Sequence, residues 1–573
     1  MGSFERLRPT RAAPYRMAVL LAFGIPGCGR EDVELAPPPP APPPEDCSAL
    51  LPEGLLGARP PMGWNGYNFF GGYSSSSCDP GLDRTKVEAI TEAMITSDMQ
   101  KAGYTFVNLD ACWELPERAA DGRRAFDPEL LPGGVESLSQ FVHDRGFSLG
   151  VWAPSQFCRR VPGSMGFESI DAQSYAAWGV DYVKTVICGL DDADAQRAVS
   201  DLAAALASTG RSIVVSLGAA PFREWMRETV QLWRTSGDSE PTWSSIVRSI
   251  DATVSLAAYA RPGAFNDPDM MEIGNGGLTP SEERVQFSVW SILSAPLIAG
   301  NDLTRMTEET RAVLTNAELI ALNQDPLGLQ AALIRRDGDV DVLAKPLAAC
   351  GARGVVLWNR GESAAEVSLT WPELWLEPQA AAVRDLWQGV AIASRADGFS
   401  VTVAPHDAVA LRVQGVEPPL PNGHTYLSDL KWTYATNGYG PIELDRTNGE
   451  QQASDGHPIR LGGVTYAKGL GVHGPSLVRY RLGQACSRFT AWVGLTGESM
   501  SPGSAQFEVW ADGERLFQSG VMTAATPPRS VDVSVTGRSE LRLFVGIGGD
   551  TFELDHAVWA GATLECNSLS ETN

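Results

Sequence analysis

Histidine is scarce in this 573-residue chain, with six in all. No CxxC pair and no HExxH run appears, so a zinc site has little to build with, and neither a metal nor any other cofactor is expected. Positive charge is short as well: 45 Lys and Arg face 69 Asp and Glu, a formal net charge of −24. That leaves no broad cationic surface to neutralise a phosphate backbone, which argues against nucleic acid as a partner. Long apolar runs are missing near the start, where Met17-Ala-Val-Leu-Leu-Ala-Phe-Gly-Ile25 covers only about nine residues, too few to span a bilayer. No GxGxxG run opens a helix, which argues against a dinucleotide-binding doubly wound sheet.

What is present asks for several packed domains, because 43% hydrophobic and 20% charged residues over this length is too apolar for disorder and too long for one domain. The short apolar run follows a basic start (Arg6, Arg8, Arg11, Arg16) and ends in Ile25-Pro26-Gly27-Cys28. This reads as a signal peptide over 1–28 with a lipobox, Cys28 becoming the lipidated first residue; simple cleavage nearby is the alternative. A Pro-rich tether over 29–59 follows. The expected location is therefore outside the cytoplasm, as an envelope lipoprotein or a secreted protein, with membrane contact only through the lipid. Without Cys28 eight cysteines remain, Cys47, Cys78, Cys112, Cys158, Cys188, Cys350, Cys486 and Cys566, an even number that favours disulfides over metal ligation. Sixteen Trp suit sugar-stacking surfaces, although most Trp in a long chain fill cores.

From 60 to 330, short β-rich runs alternate with helical patterns. Met62–Asn65, Tyr104–Asp110, Phe147–Ala153, Gly179–Val186, Ser212–Gly218, Leu232–Thr235, Ala264–Asp269 and Ala295–Gly300 give eight strands, the content of a (β/α)8 TIM barrel with its site at the strands' C-terminal ends. Residues 331–413 turn to short alternating runs with little helix, an antiparallel β-sandwich. A linker over 414–424 leads to a second all-β domain, a further sandwich over 425–566, with 567–573 as a tail.

At the strand ends the residues become specific. Pro61-Met-Gly-Trp-Asn-Gly-Tyr-Asn68, Asn108-Leu-Asp-Ala-Cys-Trp113, Trp178-Gly-Val-Asp-Tyr-Val-Lys184, Trp233-Arg-Thr-Ser-Gly-Asp238, Asn266-Asp-Pro-Asp-Met270 and Asn323-Gln-Asp-Pro-Leu-Gly328 together resemble glycoside hydrolase family 27, the α-galactosidases and α-N-acetylgalactosaminidases. Tyr426-Leu-Ser-Asp-Leu-Lys-Trp432, Tyr466-Ala-Lys-Gly-Leu-Gly-Val-His473 and Asp555-His-Ala-Val-Trp559 resemble the NPCBM domain, a carbohydrate-binding module. The resemblance implies a carbohydrate partner of the α-galactoside class. It also implies disulfides Cys78–Cys112 and Cys158–Cys188, leaving Cys486–Cys566 inside the last domain and Cys47–Cys350 as a remainder. The oligomeric state is not set by these motifs.

A retaining glycosidase needs two carboxyl groups about 5 to 5.5 Å apart, one attacking the anomeric carbon and one serving as acid and then base. The resemblance assigns the acid/base to Asp238, with Arg234 as its orienting partner. It places the nucleophile two residues after the fourth-strand lysine, where this chain reads Lys184-Thr185-Val186. Valine has nearly the shape of aspartate but cannot form a glycosyl ester. Loss of a nucleophile from a coupled set costs about 10⁶ in turnover, roughly 8 kcal/mol of barrier.

Other positions depart too. The family's paired aspartates appear as Asp110-Ala111, and its fifth-strand Cys-Glu-Trp appears as Gly218-Ala219-Ala220, room that Phe222 just beyond would refill. What remains for sugar is Asp110, Lys184, Arg234, Asp238, Asp269 and Met270, with Tyr67 and Trp152 as stacking walls. Asp191, Asp192 and Asp194 read as solvated loop charge rather than a replacement nucleophile. Trp64 and Trp233 read as packing near the barrel mouth. Asp555, His556 and Trp559 fit either a glycan contact or a buried network. The expected protein is an exported relative of the α-galactosidases that recognises terminal α-galactosides, its retaining mechanism impaired at Val186. The alternatives are an inverting or re-sited glycosidase and a purely non-catalytic surface lipoprotein.

Overall fold

Eight parallel strands, each fully or nearly buried, begin the fold: β1 (Met62–Asn65), β2 (Phe106–Leu109), β3 (Ser148–Pro154), β4 (Tyr182–Val186), β5 (Val214–Gly218), β6 (Leu232–Arg234), β7 (Phe265–Asp267) and β8 (Leu297–Ala299). They are seen in a computed structural model that describes residues 54–71, 82–111, 113–158, 161–218, 221–449, 451–496, 503–549 and 554–567, all within the compact unit Glu45–Asn573. The expected leader, Cys28, the tether's Pro-rich run, Cys47, Cys78 and Cys112 lie outside the described residues.

Neighbours run in the order β7-β6-β5-β4-β3-β2-β1-β8. A parallel bridge from Met271 to Ala299 joins the two ends, with Met271 N–H donating to the Ile298 carbonyl at 2.8 Å, so the sheet closes into a barrel. Near-continuous apolar strands buried on both faces demand helices outside them, and the sequence supplies these with local stops and starts. Helix Asp192–Ser208 begins at Asp191, whose carboxylate accepts from the Asp194 N–H at 2.9 Å. Helix Pro280–Ile292 carries a capping box of Thr279 and Glu282 with Pro280 in the first turn. After β5 the helix is a single turn, Met226–Thr229.

The sandwich follows as β9 (Ala332–Asp337), β10 (Val340–Pro346), β11 (Ala352–Asn359), β12 (Ala365–Thr370), β13 (Ala382–Asp385), β14 (Ala391–Ile392), β15 (Gly398–Val403) and β16 (Ala408–Gln414). Six strands pair in the order β14-β13-β16-β11-β10-β9 and two, β12 and β15, pair opposite them, around a core holding Trp371, Val342 and Leu411. The last domain is all-β, in a six-stranded antiparallel sheet and a five-stranded one packed over Phe489, Phe507 and Trp559. Its Tyr434, Leu477 and Phe544 belong to the barrel's own core, and Tyr434 donates its hydroxyl to the Gln330 carbonyl at 2.9 Å.

One charge is buried where barrel meets sandwich. Lys345 of β10 is 1% exposed and donates to the Ser294 hydroxyl at 2.6 Å. Burial pushes its ammonium down to about 7, with Asp325 only partly opposing. The unfolded value is about 10.4, so between the two the unfolded chain binds more protons and stability must rise with pH. Urea denaturation of the intact protein from pH 7 to pH 10 is expected to gain about 4 kcal/mol from this group. Lys345→Met is expected to be the more stable form at pH 7 and to lack that part of the rise.

Candidate active site

Two buried ion pairs span the C-terminal strand ends. Asp110, just past β2, accepts from Lys184 Nζ of β4 at 3.0 Å and from Asn65 Nδ2 of β1 at 2.9 Å through Oδ2. Its Oδ1 accepts from the Ala111 N–H at 2.8 Å. Burial alone would raise this carboxyl, but the Lys184 charge and these hydrogen bonds hold it below its usual range. The Lys184 ammonium is in turn raised: burial opposes its charge, and Asp110 and Asp269 more than compensate.

The second pair ties β6 to the turn after β7. Arg234, 2% exposed, reaches Asp269 Oδ1 at 2.9 Å through Nη1, and Asp238 Oδ1 at 3.3 Å and the Ser236 carbonyl at 3.2 Å through Nη2. Asp269 adopts φ +90°, a backbone conformation costly for a residue with a Cβ. It is fixed there by its N–H on Asp267 Oδ1 at 2.9 Å, by the Ser239 N–H on its Oδ2 at 2.7 Å, and by Trp290 Nε1 on its carbonyl at 2.8 Å. Asp267 is half-buried, and its carboxyl is raised, chiefly by desolvation. Neither Asp267 nor Asn65 was singled out from sequence as part of the site, although both stand inside the motifs quoted above.

Tyr67, Asp110, Trp152, Lys184, Val186, Arg234 and Asp238 line one cavity of about 180 Å³. Asp269 sits behind Arg234 and Met270 is buried beside it, so both act at one remove from the walls. Asp238 has a half-exposed side chain. The Tyr67 ring lies 5.6 Å from Lys184 Nζ.

Beyond Lys184, the wall across strands β3 to β5 is apolar. Val186, 9% exposed, clusters with Trp152 and Val161, flanked by Ala111 and the Cys158–Cys188 disulfide. A Cβ built on Gly218 would lie 2.9 Å from Val186 Cγ1, so the valine fits because its neighbour on β5 has no side chain.

Other expectations resolve locally. Asp191 caps its helix and Asp192 pairs with Arg223 at 2.8 Å, and none of the acidic run lines the cavity. Trp64 and Trp233 are fully buried, donating to the Asn301 carbonyl and to Asn266 Oδ1. In the last domain Cys486 is bonded to Cys566, Asp555 Oδ1 accepts from the Ser504 N–H at 2.9 Å, the ring of His556 contacts the Asn448 carbonyl at 3.1 Å, and Trp559 is core. Cys350 is disulfide-bonded as well. Among the described residues no group of three or more His, Cys, Asp or Glu is placed to hold a metal.

Residues 59–325 match the family described as alpha galactosidase A, and 337–413 match the alpha galactosidase C-terminal beta sandwich domain. Alpha-galactosidase 2 of Arabidopsis thaliana is 36% identical over 366 residues, 63% of this chain and 90% of that protein. The chain belongs to the α-galactosidase family, glycoside hydrolase family 27. Alpha-galactosidase A of Cellvibrio japonicus is also 36% identical, over 62% of this chain and 92% of its own length. The crystal structure of α-galactosidase I from Mortierella vinacea superposes with a TM-score of 0.59 at 28% identity, covering 63% of this chain and 99% of that one. Residues 423–565 match the NPCBM/NEW2 domain.

The Gly218–Val186 contact gives a direct test of the apolar wall. Gly218→Ala is expected to cost about 1–3 kcal/mol by overpacking. Val186→Ala in the same chain should return most of it, giving a coupling energy above about 1 kcal/mol in a denaturation double-mutant cycle.

Proposed function

We propose that this member of the α-galactosidase family is exported and holds a terminal α-galactoside or related sugar at the barrel mouth without cleaving it by the retaining route. The observation that carries the reading is the pairing of a retained set of polar side chains with an apolar residue in the attacking position. Lys184 with Asp110 and Arg234 with Asp269 and Asp238 present donors and acceptors for ring hydroxyls. The motif assigns position 186 to the nucleophile, and Val186 has no lone pair to attack with.

An inverting route would need a second free carboxylate to activate water. Of the described cavity walls only Asp110 and Asp238 carry carboxyl groups. Asp110 is held ionised by Lys184 and three hydrogen bonds, which makes it a poor base. The disulfides Cys158–Cys188 and Cys486–Cys566 support an oxidising compartment, in line with the leader read in the sequence. No described helix is long and apolar enough to cross a membrane.

Release of p-nitrophenol from an aryl α-galactoside, together with galactose titration by calorimetry, tests this. The unaltered protein is expected to bind galactose and release nothing above background, Val186→Asp to gain release, and Asp110→Asn to lose binding by tenfold or more. Turnover by the unaltered protein would establish a re-sited mechanism instead. Absence of galactose binding would leave the barrel as scaffold.

A further inference from the structure

The side chains that line the barrel-mouth cavity differ in depth. Asp110, Trp152, Val186 and Arg234 are 9% exposed or less and make its floor. Cys158, Ile187 and Cys188 are only half-buried and the Asp238 side chain is half-exposed, so these four mark where the cavity opens. The acid/base position therefore stands at the opening, beside the place where the bond to the next group of a glycoside would lie. The volume of about 180 Å³ equals about six waters at ~30 Å³ each, room for one sugar ring. Whatever that ring is joined to must rest outside, against the lip.

That lip adjoins an exposed phenyl ring. Phe157 directly precedes Cys158 and is 67% exposed, more than any other large apolar side chain among the described residues. It joins none of their hydrophobic clusters, whereas Cys158 packs against the cluster of Trp152, Val161 and Val186. A lone apolar side chain at a surface usually carries no message, but this one is held in place. Its loop follows β3, and Cys158 is bonded to Cys188 just past β4. Cys158 and Val161 exchange backbone hydrogen bonds at 3.1 and 3.0 Å, and the Ser155 N–H donates to the Val186 carbonyl at 2.9 Å. Gly163 lies so close to the same loop that a Cβ on it would stand 2.0 Å from Gln156 Cα, and Arg118 donates to its carbonyl at 2.6 Å. A backbone fixed in this way presents its ring with little freedom left to lose on binding.

We infer that Phe157 is the platform of a second subsite, which takes the ring joined to the bound sugar, so that the barrel mouth selects a disaccharide ending in an α-galactosyl group over a single sugar. The inference rests on the reading of the barrel mouth as a sugar site. One peptide joins residues 157 and 158, and their Cα atoms are about 3.8 Å apart. A ring leaving the cavity past Cys158 is therefore within reach of the Phe157 phenyl. The C–H face of a pyranose is apolar, and laying it on this phenyl removes both from water.

Calorimetric titration of the full-length protein with methyl α-galactoside and, separately, with galactosyl-α-1,6-glucose tests the assignment, since the two share the first ring and its anomer. The disaccharide is expected to bind about tenfold tighter. Phe157→Ser is expected to bring the two affinities within about twofold of each other, and Phe157→Tyr, which keeps a ring, to preserve the difference. Both variants change an exposed side chain, and a thermal melt matching that of the unaltered protein checks their folding. Equal affinities in the unaltered protein, or a difference that survives in Phe157→Ser, overturn the inference while leaving the sugar site standing. Binding of neither ligand overturns the sugar site and this inference with it.

Discussion

Charge matching among buried side chains is the constraint on which the barrel mouth rests. Removing Lys184 and Arg234 from water is expensive, and it is tolerated only because each ion meets a partner and further hydrogen bonds. Asp110 answers Lys184, with Asn65 and a backbone N–H completing its shell. Asp269 answers Arg234, with Ser239 and Trp290 holding it in place. Neither pair draws on residue 186. A neutral side chain there strands no cation, whereas a neutral side chain at 110 would leave Lys184 buried without its main partner.

The barrel was legible because parallel strands buried on both faces read as apolar runs, and Val214-Val-Ser-Leu-Gly218 or Tyr182-Val-Lys-Thr-Val186 resembles little else. The site was legible wherever chemistry is local: Trp233 to Asp238 lies in one strand and its loop, and the Arg234–Asp238 contact follows from their spacing. What escaped depends on neighbours far along the chain. Asn65 meets Asp110 45 residues away, and nothing in Met-Gly-Trp-Asn announces it. Asp267 stands inside Asn-Asp-Pro-Asp with no role assigned from the motif, yet it fixes the backbone of Asp269. Lys345 sat in an alternating strand with no sign that it would point into the junction and lose its charge near neutrality.

The last domain shows the same limit. Its all-β pattern was plain, but its dependence on the barrel was not. The one-turn helix Met226–Thr229 leaves the barrel's flank thin between β5 and β6. The C-terminal domain supplies the missing cover: Phe544 stacks edge-on to Tyr259 at 5.6 Å, and Glu224 accepts the Ile547 N–H at 2.7 Å. A domain that shares its core with the barrel is packed against it rather than tethered. An ion pair crosses the seam as well, since Arg227 belongs to one part and Glu508 to the other.

Position 186 sets stability and chemistry against each other. A carboxylate there would face Trp152, Val161 and the Cys158–Cys188 disulfide, surroundings that desolvate it and favour its neutral, unreactive form unless Lys184 restores the charge. Valine removes that penalty and packs into space left by Gly218. Stability alone therefore accounts for the valine, but not for the buried ion pairs near it. A barrel serving only as scaffold would gain by replacing two buried ion pairs with apolar residues and by relaxing Asp269 from φ +90°. Both features remain here, next to a cavity that Lys184 and Arg234 line together with Tyr67 and Trp152.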